Sequence, residues 1–403
     1  MSFSIGVVGA GQFASSFITL FQAHPDVSSV SVTDVIPERT AEKAAKHNLP
    51  TTYESFEQML ESDVDAVAIF TQRWLHGPMV LKALQAGKHV YSAVPMGMTV
   101  DEIGEIVDLV AKSRQSDKPL TYMMGETSYY YPSSVYCRNK LAAGEFGRVF
   151  YSEGDYVHDM DLGFYAAYQY SGGERWKETA SFPPMHYPTH AIGNVLSVTG
   201  RHATAVSCIG VPDDRGDGVF DKDISQFDND ISNASALFRL DDGSVMRTNE
   251  MRRVGYPSHM RESRLRIFGT EGSFEQLATV SLWQDKETAN DVSQELKTGK
   301  SIPLDDDSLD GVDPALRDAF VSGTASVHDR SVLPAEFTGM PNGHEGSHQF
   351  LANDFVRACI DGTTPPVNAW VAARYTLPGI VAHQSALQDG KQLEIPDFGD
   401  PIV

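Results

Sequence analysis

Cysteine is scarce in this chain. Cys137, Cys208 and Cys359 are scattered through 403 residues, odd in number, and form no C-x-x-C, so neither a disulfide framework nor a cysteine metal site is indicated. Basic residues are also in deficit. Thirty-two Lys and Arg face 54 Asp and Glu, a net charge of -22, which speaks against nucleic acid and anionic membranes as partners. No apolar run is long enough to span a bilayer, and no signal peptide is read ahead of the first strand, so a cytoplasmic protein is expected. Metal-binding patterns are missing too. His186 and His190 have i,i+4 spacing, but Pro188 lies between them and no H-E-x-x-H glutamate accompanies them, so no metal is expected. The aspartates of 213–230 lack the order and the Glu of an EF-hand.

What is present begins with a short apolar strand, Ile5 to Val8, running into Gly9-Ala10-Gly11-Gln12-Phe13-Ala14. This is G-x-G-x-x-A opening a helix, a pattern in which glycines allow a tight turn and the helix N-terminus faces a pyrophosphate. A second strand ends at Asp34, about 20 residues on, where a carboxylate accepts ribose hydroxyls and repels a 2′-phosphate. NAD is therefore expected rather than NADP, with Arg39 as the residue able to reverse that choice. Alternating strands and helices continue to Met124, predicting a doubly wound parallel sheet. Its ligand-facing rim would carry Thr71, Gln72, Arg73, Trp74, His76 and the Ala93-Val94-Pro95 turn. Thr99-x-x-Glu102 predicts a capping box.

After Met124 the pattern changes to strand-like runs separated by turns such as Asp241-Asp242-Gly243, without crossover helices. The expected fold class is an α/β Rossmann domain (1–125) followed by an α+β domain with an open, mainly antiparallel sheet (126–403). Two acidic stretches, 213–230 and 285–341, interrupt it, and C-terminal helices are expected to pack back. Within it, Tyr187-Pro188-Thr189-His190 precedes an apolar helical run. Proline favours a helix start there, Thr189 is a candidate cap, and His190 would stand in the first turn.

The fingerprint, the Gly87-Lys88-His89-Val90 strand, the Pro95 turn and Gly269-Thr270-Glu271-Gly272 together resemble the glucose–fructose oxidoreductase/inositol dehydrogenase/MocA (Gfo/Idh/MocA) family. That family places a lysine beside the nicotinamide in a Glu-Lys-Pro turn and a histidine at the end of Asp-x-x-x-His. Here the turn is Ala93-Val94-Pro95, and His186 replaces the aspartate while His190 is kept. Both departures resemble the NAD-dependent glycosidases related to bacterial α-N-acetylgalactosaminidases. These also carry a glutamate after the last Rossmann strand, matching Glu126, and Tyr-x-His-Asp, matching Tyr156-Val157-His158-Asp159.

The resemblance implies a cycle of C3 oxidation, elimination across C1–C2, water addition and re-reduction. His190 suits the C3 hydroxyl because an imidazole titrates near neutrality. Tyr156 suits the C2 proton if a cation or His158 lowers its pKa, although the same residue also reads as an aromatic filling a strand. Glu126 and Tyr187 would hold sugar hydroxyls or the nicotinamide ribose, with His158 and His186 beside the substrate. The expected cofactor contacts are Gly9, Gly11, Gln12, Phe13, Ala14, Asp34, Thr71, Arg73, Trp74, His76, Val94 and Pro95. Net sugar or polyol dehydrogenation is the alternative. The partner is a small glycoside, and a homo-dimer or homo-tetramer follows by resemblance. Basic residues gather at Arg73, Arg175, Lys177, Arg252 and Arg253, so an anionic glycoside such as a sulfoquinovoside or uronide is expected. Pairing with neighbouring acids such as Glu178 and Glu250 is the competing reading of that cluster.

Overall fold

The computed structural model describes residues 3–255, 261–299 and 323–402, and part of the second acidic stretch, 300–322, lies outside them. The first sheet is built from short runs of Val, Ile and Ala buried on both faces, the composition a parallel sheet covered by helices requires. Its strands are β1 (Phe3–Val8), β2 (Val27–Thr33), β3 (Ala66–Ile69), β4 (His89–Ser92) and β5 (Tyr122–Met124). They are all parallel, in the order β2-β1-β3-β4-β5, so the strand order reverses beside β1. That reversal opens a crevice at the carboxyl ends of β1 and β3. The covering helices include α1 (Gln12–Ala23), α2 (Pro37–Lys46), α3 (Phe56–Glu61), α4 (His76–Gln85) and α5 (Val100–Arg114). Thr99 caps α5 by accepting from the Glu102 N–H. The Glu102 carboxylate returns to the N–H of Met98, one residue before the reciprocal partner of a full capping box.

Helix α6 (Pro132–Ala142) leads into the second sheet. Its strands are β6 (Val149–Val157), β7 (Ala203–Pro212), β8 (Ile231–Leu240), β9 (Val245–Met251), β10 (Ser263–Gly269), β11 (Gly272–Gln276), β12 (Ser281–Asp285), β13 (Ala289–Asp291) and β14 (Leu393–Glu394). The order is β13-β12-β11-β10-β6-β9-β8-β7-β14, antiparallel throughout except for the parallel pair β6–β9. Between β6 and β7 the chain makes three helices: α7 (Tyr165–Gly172), α8 (Trp176–Ala180) and α9 (Thr189–Thr199). The first two are short and lack a clear apolar stripe, which is why the sequence pattern does not announce them.

Helix α9 lies directly on β6. A Cβ added to Gly154 would stand 2.1 Å from the Ala191 carbonyl oxygen, so this contact is backbone against backbone. The helix His348–Asp361 sends Leu351, Phe355 and Val356 into the core around Phe17 and Phe21 of α1. The helix Ala369–Ala386 adds Trp370, Tyr375 and Leu377 to a core that also holds residues of both sheets.

Candidate active site

Glycine is obligatory where β1 meets α1. Gly9 has φ +96°, and a Cβ there would lie 2.5 Å from the Phe70 carbonyl oxygen. Helix α1 begins after Gly11 with no side-chain cap, and an added Cβ on Gly11 would meet nothing within 4 Å, so the space over the helix start is open. Asp34 braces the loop by accepting from the N–H groups of Ala10 (2.7 Å) and Ile36 (2.9 Å), one on each oxygen. A carboxylate has about four acceptor positions, so both oxygens keep capacity for ribose hydroxyls. Arg39 stacks 4.2 Å over the Tyr170 ring and donates to the Tyr170 carbonyl, contacts that hold it against α7. An open helix start, a close-approach glycine and a carboxylate at the end of β2 fit an adenine dinucleotide without a 2′-phosphate. Ala14 is fully buried. The Phe13 ring meets Phe70, His344 and His348, so its side chain packs rather than facing a cofactor.

The rim after β3 divides its labour differently from expectation. His76 is buried, with Nδ1 2.9 Å from the Pro95 carbonyl and Nε2 3.1 Å from the Thr71 carbonyl. Burial pulls its pKa down to about 4, so the ring is neutral and its single N–H donates to one of the two carbonyls while it packs between the rim loops. The Thr71 hydroxyl turns inward to the Met79 sulfur at 3.4 Å. Trp74 packs on Phe182 and Phe227, and Arg73 donates to the Tyr168 hydroxyl at 2.7 Å. Both therefore turn toward the α7–α9 region, away from the place expected for them at the cofactor. Val94 is buried beside Pro95 and offers no proton donor or acceptor.

His190 is the second residue of α9. Pro188 occupies the cap position and its carbonyl accepts from Ala191 and Ile192, while Thr189 is the first helical residue, not the cap expected of it. The His190 Nδ1 lies 2.8 Å from Glu126 Oε1, and the same oxygen accepts from the Ser128 N–H. Burial alone would push the Glu126 carboxyl up, but the His190 interactions and further hydrogen bonds outweigh it, leaving its pKa below the usual carboxylate value. Glu126 is completely buried. Where a contact to sugar hydroxyls or the nicotinamide ribose was expected, the Glu126 carboxylate is placed against His190 and the Ser128 N–H. A carboxylate at Nδ1 fixes a proton there, which leaves Nε2 as the acceptor, 3.2 Å from the Tyr187 hydroxyl.

Tyr156 and His158 project from the same face near the end of β6, with the phenol oxygen 3.2 Å from His158 Nδ1. His158 Nε2 is 3.0 Å from the Leu162 carbonyl, which can only accept. Nε2 therefore carries the proton and Nδ1 accepts from Tyr156. Burial, and then the Arg252 charge, pull the His158 pKa down to about 3. The Tyr156 ring stands 4.9 Å from the His190 ring, edge to face, so two proton-handling groups are in direct contact. A cation is present as expected, since Arg252 lies 4.8 Å from the Tyr156 ring centre. It does not prevail: burial and Tyr187 raise the phenol pKa well above its ordinary value.

Three expected substrate residues stand apart from this cluster. Arg175 forms a two-point pair with Glu178 at 2.7 and 2.6 Å, with its side chain 81% exposed. Lys177 donates to the Asp217 carbonyl. His186 faces His383, with ring centres 4.7 Å apart, and burial lowers its pKa to about 3. Arg253 is paired with Asp213 and Asp217 and bonded to Tyr165, and Arg252 with Glu250, so most of the basic cluster is neutralised internally. Among the described residues no group of His, Cys, Asp and Glu could hold a metal ion. His344 Nδ1 and His348 Nε2 are simply 2.8 Å from each other. Tyr168, Phe164 and Phe182, which complete the wall around Arg73, were not singled out in the sequence because they come from α7 and the irregular stretches before and after it.

Comparison with known proteins defines the class first. Residues 3–116 match the family GFO_IDH_MocA, described as an oxidoreductase family with an NAD-binding Rossmann fold. The match falls on the parallel-sheet part of the chain, the part that carries the glycine fingerprint and Asp34. More particular relatives follow. A glycosyl hydrolase family 109 protein of Streptomyces niveus is 25% identical over 98% of this chain and 77% of its own length. Another, of Saccharopolyspora erythraea, is 32% identical over 48% of this chain, a match spanning only 43% of that relative. A levoglucosan dehydrogenase solved with NADH and levoglucosan shares the fold, with TM-score 0.69 at 17% identity, covering 99% of this chain and 100% of the other.

Proposed function

We propose that this chain is an NAD-dependent enzyme acting on sugars, and that it opens glycosidic bonds by transient oxidation at C3. The observation that carries the reading is the pairing of two differently prepared groups across 4.9 Å, His190 backed by Glu126 and Tyr156 backed by His158, beside a rim where Val94 supplies no proton carrier. Bound NAD would supply a hydride acceptor for C3 and later return the hydride. Gly9, Gly11 and Asp34 would hold it. His190 Nε2 takes the C3 hydroxyl proton, and the Glu126 carboxylate stabilises the imidazolium that results. A C3 ketone acidifies the C2 proton. Tyr156 relays it to His158 Nδ1, its phenolic proton moving to the ring as the C2 proton arrives, so that no free phenolate forms. The C2 electron pair forms the C1–C2 double bond as the C1–O bond breaks and the aglycone leaves. Water adds at C1, C2 recovers its proton from Tyr156, and His190 returns its proton to the C3 oxygen. The glycosyl hydrolase family 109 relatives support this reading. The glycone is an anionic sugar such as a sulfoquinovoside or a uronide.

The second reading is a sugar or polyol dehydrogenase. It is favoured by the His190–Glu126 pair, which suffices for simple hydroxyl oxidation. A panel of chromogenic glycosides separates the two. Aglycone release with catalytic NAD+ and no net NADH supports the glycosidase, whereas stoichiometric NADH without release replaces it by the dehydrogenase. A homo-dimer or homo-tetramer is proposed through the outer face of the second sheet, where Leu237, Ile209 and Val211 are exposed; a monomeric mass in light scattering would refute it.

A further inference from the structure

Beside Tyr187 lies a narrow pocket whose walls are largely aromatic, with Phe164, Tyr168, Phe182 and Tyr187, and which holds two guanidinium groups, Arg73 and Arg252. Arg252 pairs with Glu250 at 2.8 Å. Arg73 makes no ion pair among the described residues. Its head donates to the Tyr168 hydroxyl and lies 4.3 Å over the Tyr187 ring. A cation withdrawn from water is costly unless a counter-charge joins it. In a chain of net charge -22, acids are plentiful, yet among the described residues none pairs with Arg73. The guanidinium is already oriented by Tyr168 and Tyr187, and Tyr187 in turn touches His190 at 3.2 Å, so the pocket is one side chain removed from the reacting groups.

We propose that this pocket is the subsite for one anionic substituent of the sugar, a carboxylate or a sulfonate carried on C5, which supplies the missing counter-charge to Arg73. The orientation rests on the reading of the preceding subsection: with C1 to C3 held against the exposed edges of His190 and Tyr156, the C5 substituent is the part of the ring free to enter a neighbouring pocket. The guanidinium fork suits two oxygens of either anion. The dinucleotide phosphates are the competing counter-charge, but Arg73 points at α7 and Tyr187, not at the loop of Gly9 and Gly11.

The test is calorimetric titration of the full chain with NAD+ present, using free glucose, glucuronate and sulfoquinovose, on wild type, Arg73→Met and Arg73→Lys. At least one anionic sugar binds wild type about 10- to 100-fold more tightly than glucose, the effect of a charge-assisted hydrogen bond pair. Arg73→Met abolishes that preference, Arg73→Lys retains part of it, and NAD+ affinity is unchanged in both. Glucuronate alone, or sulfoquinovose alone, identifies the anion. Equal binding of glucose by wild type, equal loss for all three sugars in Arg73→Met, or a loss confined to NAD+ would each overturn the subsite. If Arg73→Met does not fold, Arg73→Lys must still show selective weakening for the anion. Selective anion binding without aglycone release from any matching glycoside would keep the subsite and reject the glycosidase reading.

Discussion

His190 and His158 stand on either side of the Tyr156 ring, yet the structure prepares them for different work. A buried carboxylate holds the first by its Nδ1, so a proton gained at Nε2 meets a compensating charge. A carbonyl holds the second by its Nε2, with the Glu262 carboxyl, itself raised to about 7 by burial, 3.5 Å away; burial first and then a nearby guanidinium oppose any added charge, so its pKa falls to about 3. One ring is built to become a cation. The other is kept neutral, able to receive a proton only as its partner takes up another. The same side chain is thus given two roles by the sign of the charge beside it, a difference invisible in residue identity.

The sharpest way to break the comparison is to remove His190. His190→Ala is expected to lower turnover on the order of 10²- to 10⁴-fold, the worth of a positioned acid–base group, with NAD+ affinity by calorimetry nearly unchanged. Near-normal turnover at saturating NAD+ would move the role elsewhere. Tyr156→Phe is expected to stop exchange of the C2 proton with deuterated solvent, followed by NMR, while leaving C3 oxidation measurable as a transient NADH absorbance; persistent exchange would reassign the base, with His158 next. Glu126→Gln keeps the shape and removes the charge. It should cost about 10²-fold, the low end of the same range, and shift the pH–rate profile, which a purely structural glutamate would not do.

The smallest effect concerns stability. His158 binds a proton below about 3 in the folded state and at about 6.5 when unfolded. Between those values the unfolded chain holds more protons, so this group makes stability fall as pH drops through 6.5 toward 3. His158→Gln should therefore flatten the acid side of the Tm–pH curve; an unchanged slope would mean that the ring charges in place.

The cofactor half was legible because its signals are local. Gly9, Gly11 and Asp34 each act through backbone geometry within one βαβ unit, and a spacing rule captures them. The rim was less legible. Thr71, Arg73, Trp74 and His76 all fall near the expected crevice, but sequence position does not say which way a side chain turns. His76 lies between two carbonyls, and Arg73 reaches α7. The partner of His190 was hidden for a related reason. Glu126 is 64 residues away and lies on a different element, so only the fold brings the carboxylate to the ring. The reading of Arg175 and Lys177 failed because sequence adjacency to the Tyr187 segment was taken for spatial adjacency; i,i+3 pairing with Glu178 is the stronger rule for an exposed arginine on a helix.

The missing side chain of Gly154 has a consequence for how this site can vary. At Gly154 the strand bearing Tyr156 and the helix bearing His190 touch through main chain, so no rotamer change at that point can widen or narrow the gap between them. The residue acts as a gauge block. Side chains on either surface can be exchanged for other chemistry at a constant separation, while any replacement at 154 would prise strand from helix and alter every distance across the cleft at once, from a position that touches neither sugar nor cofactor.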